Sequence, residues 1–181
     1  FLCLRQLGQD LETSRFGVWL LAFSPFSIYF IAPYTESSFL LFTLAVFLCA
    51  YRRRWLWVGV AGALMAATRN LGVMVVFPVV ILALQAYGWR ELLRFGDRTW
   101  RVLLALWVIP FALFSFMLYL HLHVGDGFAF KNIQLAWGRI FDNPFHYWLE
   151  GFETGGRKYY LSVVILLGWA MNGYLLYQRR Y

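Results

Sequence analysis

The sequence predicts an all-α fold: a polytopic transmembrane helical bundle of about six spans, with an extra helix lying in the outer interface. Three observations predict it. The 181 residues are 61% hydrophobic and 21% aromatic but only 14% charged, far from the balance of a water-soluble domain. Six apolar runs, Phe16 to Pro33, Ser37 to Tyr51, Trp55 to Thr68, Leu71 to Trp89, Val102 to Val124 and Tyr159 to Tyr177, are separated by short polar breaks. At roughly 20 residues per span they take up most of the chain and leave no room for a separate soluble domain. Stretches such as Val73 to Leu84 are continuously apolar, whereas the strands of a membrane barrel alternate apolar and polar residues in short segments.

Taken in order, the chain opens inside a span. Phe1 is not an initiating Met, Phe1 to Leu4 reads as the tail of a helix, and no signal-peptide pattern follows. After the last run, Gln178-Arg179-Arg180 reads as a loop. The expectation is one transmembrane domain, 1–181, forming the middle of a longer protein, with an outer loop over 125–158.

The formal charge of +7 raises the question of a nucleic-acid partner, and its placement answers it. Arg5 and Arg15 precede the first run, Arg52 to Arg54 form one loop, Arg90, Arg94, Arg98 and Arg101 crowd another, and Arg179 and Arg180 follow the last. Six spans in series put all of these on one side. That side holds 11 of the 16 basic residues and is predicted to be cytoplasmic. The outer side keeps Arg69, Lys131, Arg139, Arg157 and Lys158. Within Gly125 to Lys158, four bases are balanced by Asp126, Asp142, Glu150 and Glu153, so no net charge is left for a phosphate backbone. Nucleic acid is therefore not an expected partner; membrane lipids are.

Two cysteines, Cys3 and Cys49, supply neither a disulfide framework nor metal-ligand spacing and read as packing residues near the cytoplasmic face. His121 and His123 are two apart, which on a helix turns them about 200° from each other, the wrong relation for a shared metal. His146 has no partner that sequence identifies. Neither a metal nor a cofactor is expected.

The second and third runs are informative because they are short. Ser37 to Ala50 and Trp55 to Thr68 are 14 residues each, rising about 21 Å against a hydrocarbon core of about 30 Å. Both helices are therefore expected to continue outward through charged residues, the second meeting Glu36 and the third Arg69, at nearly the same height. Ionisable groups at that depth are costly unless paired or facing a wet cavity. Two plainer readings stand beside this one: Glu36 favouring its own helix N-terminus, and Arg69 snorkelling to the headgroups.

In the outer segment, Phe130, Ile133, Trp137, Ile140 and Phe141 recur at helical spacing from Phe128 to Phe141, with Lys131, Gln134 and Arg139 largely off the stripe. This predicts an amphipathic interfacial helix started by Gly125-Asp126-Gly127 and stopped by Asp142-Asn143-Pro144. Such a helix serves either as an anchor or as one wall of an outward-facing site with Glu36 and Arg69.

A family resemblance is carried by three stretches. Ser24-Pro25-Phe26-Ser27-Ile28-Tyr29-Phe30-Ile31-Ala32-Pro33-Tyr34-Thr35-Glu36-Ser37 resembles the signature of the glycosylphosphatidylinositol mannosyltransferase II family and its bacterial relatives, which ends in Tyr-Ser/Thr-Glu-Ser. Ala67-Thr68-Arg69-Asn70-Leu71-Gly72 is similar to the family's next Arg-containing helix end. Gly125 to Phe130, with Gln134, Ala136, Trp137 and Gly138, is similar to the long outer loop of the bacterial members.

The resemblance implies a C-type glycosyltransferase fold and transfer of a sugar, typically mannose, from a polyprenyl-phosphate donor at the outer or lumenal face, in a bacterial inner membrane rather than the endoplasmic reticulum. It implies substrate-binding roles for Tyr34, Arg69, Asn70, Asp126, Gln134, Trp137 and Arg139, with Arg69 on the donor phosphate and Tyr34 and Trp137 stacking on the sugar. The family's catalytic acid falls in an outer loop upstream of Phe1, so Glu36 is expected to support or position substrate rather than act as the base. The alternatives are a non-catalytic membrane scaffold working with other subunits and, third, a transporter, although no internal repeat is present.

Overall fold

A computed structural model of the chain describes residues 1–24, 27–32, 34–94, 96–138 and 143–177, apart from the side chains of Trp137, Pro144, Leu175 and Leu176. The described residues are helical and contain no strand. They form two compact units, Phe1–Ala129 and Phe130–Tyr181, where the sequence reading carries one domain; the boundary falls inside the 125–158 segment.

The first unit begins with α1 (Leu2–Gln6) and α2 (Leu11–Ala22). Asp10 caps α2 by accepting a hydrogen bond from the Thr13 N–H at 3.1 Å, which satisfies one of the donors every helix start leaves open. The run from Phe16 to Pro33, read as one span, is not one continuous helix. α2 ends at Ala22, and a separate short helix, α3 (Ile28–Ile31), follows. The sequence contains the reason, since Pro25 brings no N–H and disfavours helical backbone at Ser24.

α4 (Glu36–Tyr51) and α5 (Trp55–Thr68) run antiparallel from the turn Arg52–Arg54. The expected outward continuation does not occur. α4 starts at Glu36 itself, α5 stops at Thr68, and Arg69 is extended, with φ −150° and ψ 136°. With 16 and 14 residues the two helices stay at about 24 and 21 Å. After Arg69 the chain tightens into a 3₁₀ segment, Asn70–Val75, that leads into α6 (Val76–Tyr87). Gly88, at φ 76°, ends α6, and after α7 (Trp89–Leu92) comes the long α8 (Asp97–Val124).

The core of this unit lies around α5. Trp55, Val58, Ala61, Met65 and Ala66 of α5 are buried with Val46 and Ala50 of α4, Val79 and Ala83 of α6, and Val102, Ala105 and Ile109 of α8. Small residues make the approach close. A Cβ on Gly59 would lie 3.0 Å from the Ala105 Cα, and one on Gly62 would lie 2.6 Å from Ile109 Cγ1. This small-residue packing is how helices associate where water supplies no hydrophobic drive. At the turn end, the Trp55 indole N–H donates to the Tyr87 hydroxyl at 2.7 Å, and the Arg53 guanidinium sits over the Tyr87 ring, 5.6 Å from its centre.

Among the described residues two helices are long and apolar enough to cross a membrane: Asn70–Tyr87, combining the 3₁₀ segment with α6, and α8. Only 22% and 17% of their most apolar stretches are buried inside the protein. The core helix of a soluble domain would be mostly covered, so these exposed apolar surfaces call for a surrounding that is itself apolar. Pro110 lies inside α8, and membrane helices tolerate proline because neighbours satisfy the freed carbonyl.

The second unit is organised on α10 (Pro144–Thr154) and α11 (Gly156–Tyr177), joined through Gly155 and Gly156, both at positive φ. Trp148 and Ser162 tie the two helices reciprocally. The indole N–H donates to the Ser162 carbonyl at 3.0 Å, and the Ser162 hydroxyl donates to the Trp148 carbonyl at 2.9 Å. Gly151 makes room, since a Cβ there would lie 2.0 Å from Ser162 Oγ.

The interfacial helix expected over Phe128 to Phe141 is broken. α9 (Ala129–Asn132) gives way to a 3₁₀ turn, Ile133–Trp137, which Gly138 ends in the left-handed region at φ 65°. Arg139, Ile140, Phe141 and Asp142 lie outside the described residues. Asn143-Pro144, read as a stop, is instead the start of α10. Asn143 caps it by accepting from the Phe145 N–H at 3.0 Å, with Pro144 in the first turn, where its missing N–H is not needed.

On this hairpin, Lys158 Nζ donates to Glu150 Oε1 at 2.8 Å. That hydrogen bond, and then the ammonium charge, hold the Glu150 carboxyl below the usual carboxylate range. A depressed acid contributes stability above its unfolded pKa and loses it as pH falls through the folded one. The pair is open to water, so its effect is confined to this titration. The expected result is a Glu150 midpoint below that of a model peptide in a carbon-detected NMR titration, returning to the peptide value in Lys158→Met. An unchanged midpoint in that variant would remove the assignment.

Candidate functional site

The antiparallel pair α4 and α5 brings the N-terminus of one helix beside the C-terminus of the other. Glu36 stands in the first turn of α4, where a negative charge is favoured by the helix dipole. Arg69 leaves the end of α5, its N–H still bonded to the Met65 carbonyl at 3.2 Å. The guanidinium Nη2 donates to Glu36 Oε1 in an ion pair, Nε donates to Thr35 Oγ1 at 3.1 Å, and Cζ lies 5.8 Å from the centre of the Phe39 ring. Glu36, Thr35 and Phe39 thus fix the guanidinium from three sides.

The pair is not dry: the Arg69 side chain is 42% exposed and that of Glu36 26%. Two of the five guanidinium N–H groups are engaged, so three remain for an incoming acceptor. Glu36 Oε2 is buried without a hydrogen-bond partner among the described residues. Chemically, the arrangement is a pre-oriented fork with free donors beside a carboxylate that has one free acceptor. Such a fork matches a phosphate or carboxylate oxygen pair.

Gly72 sets the position of the fork. Its N–H donates to the Arg69 carbonyl at 2.8 Å, and its missing side chain lets the 3₁₀ segment press against the last turn of α5. A Cβ would lie 2.4 Å from the Met65 carbonyl oxygen and 2.7 Å from the Ala66 nitrogen.

The other sequence-derived candidates divide. Tyr34 immediately precedes Thr35, is exposed, and has its ring 5.8 Å from that of Tyr29. Asn70 opens the 3₁₀ segment next to Arg69, also exposed. These two belong to the same end of the first unit as the ion pair. Asp126 serves its own turn: its Oδ1 accepts from the Phe128 N–H at 2.8 Å and its carbonyl from the Ala129 N–H at 3.2 Å. Gln134, in the second unit, donates to the Phe130 carbonyl at 3.3 Å. The Trp137 side chain and all of Arg139 lie outside the described residues.

Thr35 and Phe39 were not singled out from sequence, although they stand one helical turn apart and flank Glu36. The available signal was that i, i+4 relation. The histidines do not converge. His123 Nδ1 is 2.9 Å from the Tyr119 carbonyl of its own helix, its ring stacked on Tyr119, and His146 neighbours Tyr147. Among the described residues no group of three His, Cys, Asp or Glu side chains could hold a metal ion.

No family model matches the chain, and no curated protein or solved structure matches it.

Proposed function

We propose that the protein is an integral multi-pass membrane glycosyltransferase, mannosyl-transferring in the first instance, that takes its sugar from a polyprenyl-phosphate donor at the outer face. The observation that carries the reading is Arg69: a guanidinium held by Glu36 and Thr35 at the end of two apolar helices, with free donors and open to solvent. A lipid-linked donor needs such a place, since its tail stays in the bilayer while its phosphate stands at the surface. The ordered resemblance of the stretches around Glu36, Arg69 and Asp126 to the mannosyltransferase family supports the same reading.

In this proposal six spans cross a bacterial inner membrane, with the Arg52–Arg54 turn on the cytoplasmic side and Arg69 outside. Arg69 receives the donor phosphate and Tyr34 lies against the sugar, assisted by Asn70 at the same end of the first unit. Glu36 holds Arg69 in place, and the general base on the acceptor hydroxyl comes from another acidic residue. The test is transfer of labelled mannose from a short-chain polyprenyl-phosphate donor by the protein in liposomes. Transfer is expected with at least one such sugar donor; none with any of them would replace the enzyme by a non-catalytic membrane subunit.

A further inference from the structure

At the opposite end of the first unit from Arg69, α6, α7 and α8 line a half-open apolar cavity of about 210 Å³. Its wall includes Ala83 of α6, Trp89 of α7, Leu93, and Thr99, Val102 and Leu103 of α8. The volume is below the roughly 300–1,000 Å³ of ordinary small-molecule pockets and suits a stretch of hydrocarbon chain. Four arginines adjoin this wall in sequence: Arg90 beside Trp89, Arg94 beside Leu93, Arg98 beside Thr99 and Arg101 beside Val102. All four are exposed. Arg94 approaches Glu91 at 3.7 Å, whereas Arg90, Arg98 and Arg101 have no ion-pair partner among the described residues. Over 89–101, four arginines against Glu91 and Asp97 leave a net charge of +2.

A bias of basic residues toward one side of a membrane accounts for the charges but not for an apolar cavity beneath them. A soluble polyanion has no use for the cavity, and a neutral lipid has none for the arginines. We infer that the cavity and the arginines around it form a binding site for one anionic phospholipid, part of an acyl chain between α6 and α8 and the phosphate headgroup on Arg90, Arg98 and Arg101. The site rests on the protein being embedded in a bilayer and is independent of glycosyl transfer, so a protein that transfers no sugar is still expected to hold the lipid.

The experiment presents the purified protein with phosphatidylglycerol and phosphatidylcholine and counts retained lipid by native mass spectrometry. The expected result is one phosphatidylglycerol kept in preference to phosphatidylcholine. At about 1 kcal/mol for each basic residue near an anionic lipid, the preference should fall about fivefold for each charge removed in Arg98→Gln and Arg101→Gln. Leu103→Trp, which fills the cavity and keeps every charge, should lose retention as well. On the unaltered protein, glycerol phosphate at the same concentration should fail to displace the lipid. Equal retention of the two lipids, full retention by the Leu103→Trp protein, or displacement by glycerol phosphate would each overturn the site.

Discussion

Gly72→Ala is expected to destabilise the protein by about 3 kcal/mol, at the upper end of the usual cost of overpacking, and to remove the Arg69 site with it. The added Cβ would meet the Met65 carbonyl oxygen at 2.4 Å, its carbon at 2.6 Å and the Ala66 nitrogen at 2.7 Å. These are backbone atoms, so no rotamer change relieves the contact, and the 3₁₀ segment must move away from α5. Moving it pulls on the bond from the Gly72 N–H to the Arg69 carbonyl and displaces the guanidinium from Thr35 and Glu36. For a chain of this length that cost lowers the melting temperature on the order of 5–10 °C. Gly168→Ala is the control, because a Cβ there meets nothing within 4 Å. A Gly72→Ala protein melting with the wild type would show that the segment does not pack on α5 this closely.

The sequence made some of this legible and hid the rest for identifiable reasons. The bounds of α5 and the meeting of Glu36 with Arg69 were readable, because two short apolar runs sharing the turn Arg52–Arg54 force their far ends together. How those ends stop was not readable. The thickness of the hydrocarbon core predicted helices continuing outward, whereas Thr68, Arg69 and Gly72 turn the chain back through contacts between backbone segments, which leave no pattern in composition. The same limit applies at Phe130, Ile133 and Trp137, whose spacing keeps one face of an α-helix and carries no mark of the change to the 3₁₀ turn that Gly138 ends. Asn143-Pro144 could stop one segment or start another by sequence, and the side-chain cap onto the Phe145 N–H marks it as a start. At Phe16 to Pro33 the apolar run continues across Pro25, whereas α2 ends at Ala22, in keeping with the restriction a proline puts on the residue before it.

Arg69→Ala is expected to separate stability from function, which makes it the sharper test of the proposed site. Removing one partner of a dry ion pair costs about 3–5 kcal/mol because a buried charge is stranded. Here the charge left behind is Glu36, whose side chain is 26% exposed with Oε2 buried, so water takes up part of that penalty and the loss should fall below that range, at about 2 kcal/mol. Transfer should suffer far more. Loss of a positioned donor to developing charge typically costs 100-fold or more in turnover, so a fall of about 100-fold is expected in a protein that still folds. Arg69→Lys keeps the charge but can no longer reach Thr35 and Glu36 with one planar fork, and its activity should lie between the two. Glu36→Gln separates the roles further. The amide oxygen can still accept from Arg69, but the guanidinium is no longer neutralised, so the donor should bind more tightly while its orientation loosens, lowering KM and kcat together. If Arg69→Ala keeps full activity, the phosphate contact is lost from the proposal while glycosyl transfer itself stands; if Arg69→Ala unfolds, the pair is structural and its exposed donors serve no ligand.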